Sequence, residues 1–185
     1  MMPDETRAVC GELKKMGIDY IVVGGASIEL HYGIGTQDVD VAISMKEFKA
    51  LPGKLGKNPR FRAIESLGTM TGAEFLLGTK WIDVEFINPL LFSGTKKPDE
   101  FIRYVKNYRS KKTAYGPTAD ASVVWYMRLA VPDWEIYLQK ILRDARAGAD
   151  PSILDDALTI AKAFGTEEKL KPRAQKARQL IRQYA

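Results

Sequence analysis

The stretch Tyr20-Ile21-Val22-Val23-Gly24-Gly25-Ala26-Ser27 runs, one short helix later, into Thr36-Gln37-Asp38-Val39-Asp40-Val41-Ala42-Ile43. Its first four residues are an apolar, mostly β-branched run and predict a short buried strand. Gly24 and Gly25 break that strand, Ala26 to Tyr32 continues as a helix, and Gly33 and Gly35 end it. Asp38 to Ile43 then alternates as a second strand. Side chains two apart on a strand point the same way. Val39, Val41 and Ile43 therefore read as a core face, and Asp38 and Asp40 stand side by side on the opposite face.

The same parity holds in the later run from Trp81 to Ile87. Ile82, Val84 and Phe86 form an apolar face, and Asp83 and Glu85 the other. If the two strands are neighbours, three or four carboxylates converge. Such a cluster repels itself unless a cation sits in it or some of the acids keep their protons. Mg²⁺ suits a site of this kind, taking oxygen ligands from a few carboxylates and completing its shell with water and substrate phosphates; Mn²⁺ is the alternative ion. The Gly24-Gly25 turn supplies the other half of the arrangement. Glycines permit close approach by a ligand, the following helix start presents N–H groups at its positive end, and the Ser27 hydroxyl adds a donor. A nucleoside triphosphate bridging turn and acids would be held at both ends.

These elements resemble the nucleotidyltransferase fold of the DNA polymerase β superfamily. The resemblance rests on Gly24-Gly25-Ala26-Ser27, Thr36-Gln37-Asp38-Val39-Asp40 and Ile82-Asp83-Val84 in that order, and covers roughly residues 18 to 88. The Gly-Gly form and the helical region downstream look most like the minimal prokaryotic branch that includes abortive-infection toxins of the AbiEii type; Lys140 and Asp155-Asp156 match it loosely. By the resemblance, Asp38, Asp40 and Asp83 are the catalytic, metal-binding acids, with Glu85 the competing third ligand. Gly24, Gly25, Ser27 and Thr36 would contact the nucleotide. Gly35 departs from the pattern, standing where many relatives carry an arginine, and Lys80 is the candidate for the missing positive charge.

Outward from this unit, Asp4 to Met16 reads as a helix through the stripe Val9, Leu13, Met16, stopped by Gly17. Met45 to Leu51 reads as a helix entered from Ser44. Phe61 to Glu65, Glu74 to Leu77 and Trp81 to Ile87 read as strands, Pro98 to about Asn107 as a helix, and Val123 to Trp125 as an edge strand. From Trp134 the texture turns helical, in three stretches broken at Gly148, Pro151 and Gly165, with Pro172 placed to kink the last. The expected architecture is α+β: a mixed-sheet nucleotidyltransferase-like core over 1–130, followed by a helical region over 131–185.

Composition narrows the class. The chain has 185 residues, enough for one ordinary core with a helical appendix. Its apolar runs are strand-sized and too short to span a bilayer, and the N-terminus lacks a basic-then-apolar signal, so the expected compartment is the cytoplasm and no membrane partner is expected. Cys10 is the single cysteine, which excludes an internal disulfide and a thiolate zinc cage and reads as buried; His31, the single histidine, reads as a surface or packing residue. Trp125, Tyr126, Trp134 and Tyr137 read as core or interface. Two basic stretches, Lys96 to Lys112 with seven Lys/Arg against two acids and Lys169 to Arg182 with six against none, each read alone as a solvated helix face; beside a nucleotidyltransferase-like core they also fit an RNA or tRNA acceptor tracking along them.

The leading expectation is therefore metal-dependent transfer of an NMP group from an NTP to a hydroxyl on RNA, tRNA or protein. The alternative is a catalytically weak or inactive member of the same fold, acting as a binding module or as one half of a toxin–antitoxin pair with a partner protein.

Overall fold

A computed structural model of the chain describes residues 3–34, 38–67, 70–87, 97–144 and 150–184. In chain order these form α1 (Pro3–Lys15), β1 (Tyr20–Val22), α2 (Gly24–Tyr32), β2 (Asp38–Ile43), α3 (Met45–Leu55) and the strands β3 (Phe61–Leu67), β4 (Met70–Leu77) and β5 (Lys80–Ile87). There follow α4 (Pro98–Tyr108), the hairpin β6 (Ser110–Thr113) and β7 (Gly116–Ala119), and then α5 (Ala121–Ala130), α6 (Trp134–Asp144), α7 (Ile153–Ala163) and α8 (Glu167–Tyr184).

The strands make one mixed sheet in the order β3-β4-β5-β2-β1-β7-β6. The central pair β2 and β5 is parallel, in the register Asp38↔Asp83, Val39↔Val84, Asp40↔Glu85. β1 runs antiparallel to β2 and parallel to β7. The side-chain alternation read from sequence thus becomes two layers. Val39, Val41, Ile43, Ile82, Val84 and Phe86 form one core with Val9, Cys10 and Leu13 of α1 and with Leu51 and Leu55 of α3. The opposite face, where Ala42 and Ile87 lie, packs against α4, α5 and the three last helices. That second core joins residues on both sides of Val131, so the helical region sits on the same sheet face that carries the acids. Trp125 and Tyr126 are the largest of its members that are almost fully buried. Each such ring removes of order 200 Å² from water, roughly 5 kcal/mol before the entropy of ordering is subtracted.

Local chemistry explains most element bounds. Asp4 and Glu5 in the first turn of α1, and Lys14 and Lys15 in its last, match the helix dipole. Ser44 caps α3 by accepting from the Glu47 N–H at 3.2 Å. That helix runs past the expected Leu51 and through Pro52 to Leu55, because Leu51 and Leu55 together anchor its buried face. Pro172 likewise lies within α8 and does not end it.

Two expectations are corrected. Val123 to Trp125 is not an edge strand; it lies within α5, where Asp120 caps the helix by accepting from the Val123 N–H at 3.1 Å. Every residue from Ser122 to Met127 is buried, so the helix is apolar all round and shows no amphipathic period, which left its β-branched and aromatic content to suggest a strand. The sheet ends on this side at the β6–β7 hairpin, whose outer strand Ser-Lys-Lys-Thr is polar and exposes Lys111 and Lys112, with Pro117 in its partner. Charged and proline-bearing edges suit a sheet margin and carry little strand signal. Among the described residues, no helix is long and apolar enough to cross a membrane.

Candidate active site

β2 carries Asp38 and Asp40 into a cleft of about 380 Å³ between the sheet and the helices α2, α5 and α6. That size suits a small-molecule ligand. Parallel pairing with β5 brings Glu85 beside Asp40. One carboxylate oxygen from each of Asp38, Asp40 and Glu85 lies within 4.8 Å of the others. Asp83, although on the same face and in register with Asp38, is exposed and stands outside this group. The geometry thus assembles the expected cluster with Glu85, not Asp83, as its third carboxylate: Glu85 lies further along β5, beside the buried Asp40.

The glycine turn holds Asp40 directly. Gly24 and Gly25 are the first residues of α2, not a break ahead of it. Val23, at the helix N-cap, makes no side-chain cap; instead the Gly25 N–H donates to the Asp40 carboxylate, and the Val23 N–H donates to the Asp40 backbone oxygen at 3.0 Å. A carboxylate at the positive end of a helix is a favourable charge–dipole arrangement. Gly24 has φ +52, and a Cβ built on it would lie 1.9 Å from Asp40 Oδ2, so only glycine lets the turn approach the acid this closely.

Two of the three carboxyls are pushed toward their protonated forms. Burial pushes the Asp40 carboxyl up to about 8; Asp38 and Glu85 add to the shift, and the Gly25 N–H and Arg128 oppose it. Glu85 is also raised, first by burial and then by Asp38. A divalent cation is what such a trio fits: hard oxygen donors, close together, whose shared negative charge lacks full compensation.

One expected nucleotide contact, Ser27, lies elsewhere. The Ser27 side chain is fully buried and donates to the Ala119 carbonyl at 2.9 Å, and His31 Nε2 meets the same carbonyl at 3.0 Å. These two latch α2 onto β7 and make His31 a packing residue. Ser27 faces the sheet because the helix begins at Gly24, which turns that position away from the cleft. Gly24 and Gly25 line the cleft; Thr36 and Gly35 lie outside the described residues. Lys80 does not face the site, being paired with Glu5 at 2.6 Å.

The positive charge comes instead from the helices. Arg128 of α5 and Lys140 of α6 both line the cleft. Arg128 lies beyond the Val123 to Trp125 run that reads as a strand, so the sequence alone assigns it no element; at helical spacing, Val124, Met127 and Arg128 fall on one face, and that face is the cleft wall. Asp155 and Asp156 are structural: the first pairs with Arg178, the second with Arg109 at 3.5 Å.

Much of the basic character of α8 is also spent internally. Lys176 pairs with Glu135 at 2.7 Å, and Arg173 Nη1 donates to the carbonyls of Leu129 and Val131, at 2.6 and 2.8 Å, closing the C-terminal end of α5. Replacing Arg173 by Met, which keeps the aliphatic stem, is expected to cost about 1.5–3 kcal/mol in urea denaturation. A neutral result would remove Arg173 from this structural role.

No protein-family model matches the chain, and no curated protein matches it. Solved structures do. The chain is similar to an antigenic nucleotidyltransferase-like protein from Paracoccidioides brasiliensis, with 14% identity, 97% of this chain and 94% of that one covered, and a TM-score of 0.51. Two structures provisionally described as nucleotidyltransferases align less well: one from H. pylori (9% identity, 98% of each chain, TM-score 0.43) and one from Thermotoga maritima (18% identity, 77% of this chain and 96% of that one, TM-score 0.47).

Proposed function

With a nucleotidyltransferase-like fold established, we propose that the protein is a divalent-metal-dependent nucleotidyltransferase that moves an NMP group from an NTP to a hydroxyl acceptor. The observation that carries this reading is the meeting of Asp38, Asp40 and Glu85, from two adjacent parallel strands, in one cleft with Gly25, Arg128 and Lys140. Asp38, Asp40 and Glu85 would hold Mg²⁺ or Mn²⁺, which when bound neutralises phosphate charge and lowers the pKa of an attacking hydroxyl. Arg128 and Lys140 supply cations for the triphosphate. Asp40 is kept in place by the Gly25 N–H, so the acid that faces the reacting phosphate does not have to be ordered on substrate binding. Apolar walls from Ile28, Ile34 and Met127 limit water at the cleft.

Asp83, at the exposed side of the cluster, is proposed as a secondary acid and not a ligand. For the acceptor we favour RNA, with tRNA ends included, over a protein hydroxyl: Lys111 and Lys112 of β6 and Lys169 and Lys171 of α8 are exposed basic residues on the surface. Kinship with AbiEii-type toxins and a toxin–antitoxin partner belong to the same proposal and rest on the sequence resemblance; a cytoplasmic site of action is proposed with them.

Labelled NTPs with Mg²⁺ and total RNA test the reading. Label should pass to the RNA, and EDTA should stop it. Absence of transfer with every NTP, with RNA and with a protein lysate as acceptors, would count decisively against catalysis and leave a nucleotide-binding module.

A further inference from the structure

Of the aromatics read as core or interface, Trp125, Tyr126 and Trp134 are buried, and Tyr137 is not. It retains 44% of its surface, lines the cleft, and has the guanidinium of Arg128 over its ring, 4.6 Å from the centroid. Arg128 also acts electrostatically on both Asp40 and Glu85. The Arg128–Tyr137 pair therefore reaches from the acid cluster to an aromatic surface within one cleft. Tyr137, Lys140 and Ile141 follow one another at helical spacing on the face of α6 that walls this cleft.

We propose that Tyr137 is the seat of the nucleobase, held flat by Arg128, and that the site accepts purine nucleoside triphosphates in preference to pyrimidine ones. This rests on the nucleotidyltransferase reading. A triphosphate drawn to Arg128 and Lys140 leaves its nucleoside beside the ring and the isoleucines. A π surface with one face covered by a cation is a stacking platform, and stacking tolerates any base while favouring the larger ring system.

Calorimetry on the full chain decides the point, using ATP, GTP, CTP, UTP and inorganic tripolyphosphate, each with Mg²⁺. Tyr137→Ala should weaken purine NTP binding roughly 5- to 100-fold, leave tripolyphosphate affinity within about 2-fold, and flatten the purine–pyrimidine difference. Tyr137→Phe should restore purine NTP affinity and the purine–pyrimidine difference. Equal weakening of NTP and tripolyphosphate assigns Tyr137 a structural role and overturns the proposal; so does an unchanged NTP affinity. Wild-type protein that binds tripolyphosphate no more weakly than NTPs also overturns it, while leaving the transferase reading intact. Failure to bind any of the ligands removes both.

Discussion

Asp40→Asn is expected to do two opposite things: to lower nucleotidyl transfer by roughly 10³-fold or more, and to stabilise the metal-free protein above neutral pH. Loss of activity follows from removing a charged oxygen ligand from a three-carboxylate site. The stability gain follows from the protons. Asp40 is buried beside Asp38 and Glu85, and its carboxyl is pushed up to about 8 against an unfolded value of 3.8. Between those values the folded state holds a proton that the unfolded chain has released. Stability of the metal-free protein is then fully present below about pH 4 and declines as the pH rises toward about 8, by up to roughly 1.4 kcal/mol per pH unit from this group. Asparagine keeps the acceptor for the Gly25 N–H, adds donors toward Asp38 and Glu85, and carries no charge to desolvate. Thermal melts in EDTA from pH 5 to 8.5 should show the wild type losing stability with pH and the variant nearly flat. Added Mg²⁺ or Mn²⁺ should restore the wild type most at high pH, because only the deprotonated site binds metal, and should leave the variant unmoved. A wild type whose melting temperature is indifferent to pH and metal would mean that the three carboxylates do not form a cation site.

The acids were legible in sequence because strand parity is a short-range property. Alternation alone put Asp38, Asp40, Asp83 and Glu85 on one face, opposite Val39, Val41, Ile82 and Val84. Which acid of β5 joins the trio was not legible, since that depends on a parallel register between segments separated by two other strands and a helix. Arg128 was hidden for a different reason. A helix buried on all sides has no polar face to mark its period, so its one charged residue had no element to be placed on. Ser27 shows how a shift of two residues in a helix start matters: counted from Ala26 it belongs to the first turn and the phosphate seat, whereas counted from Gly24 it points at β7 and hydrogen-bonds Ala119. Burial also limited the reading of the aromatics. All four read as core or interface in sequence, and only the tertiary position of α6 against the cleft separates Tyr137 from the others.

Gly24→Ala should be the most damaging single-methyl change in the chain. Two effects combine. The backbone at Gly24 has φ +52, a region that costs an L-residue free energy, and the added Cβ would sit 1.9 Å from Oδ2, 2.4 Å from Cγ and 2.6 Å from Cβ of Asp40. Asp40 cannot yield easily: it is 5% exposed, and its carboxylate is tied to the Gly25 N–H. Strain and overpacking together are expected to cost about 2–5 kcal/mol. Whatever shift relieves the clash must move the acid or the turn, so metal binding and transfer should be lost even in protein that remains folded. Gly17→Ala and Gly165→Ala isolate the first effect, because both glycines have comparable positive φ, 64 and 69, but nothing lies within 4 Å of a Cβ built on either. Those two variants should lose only about 1 kcal/mol each and keep wild-type Mn²⁺ affinity. Equal losses for all three would show that backbone conformation alone matters at Gly24 and that its contact with Asp40 does not shape the site.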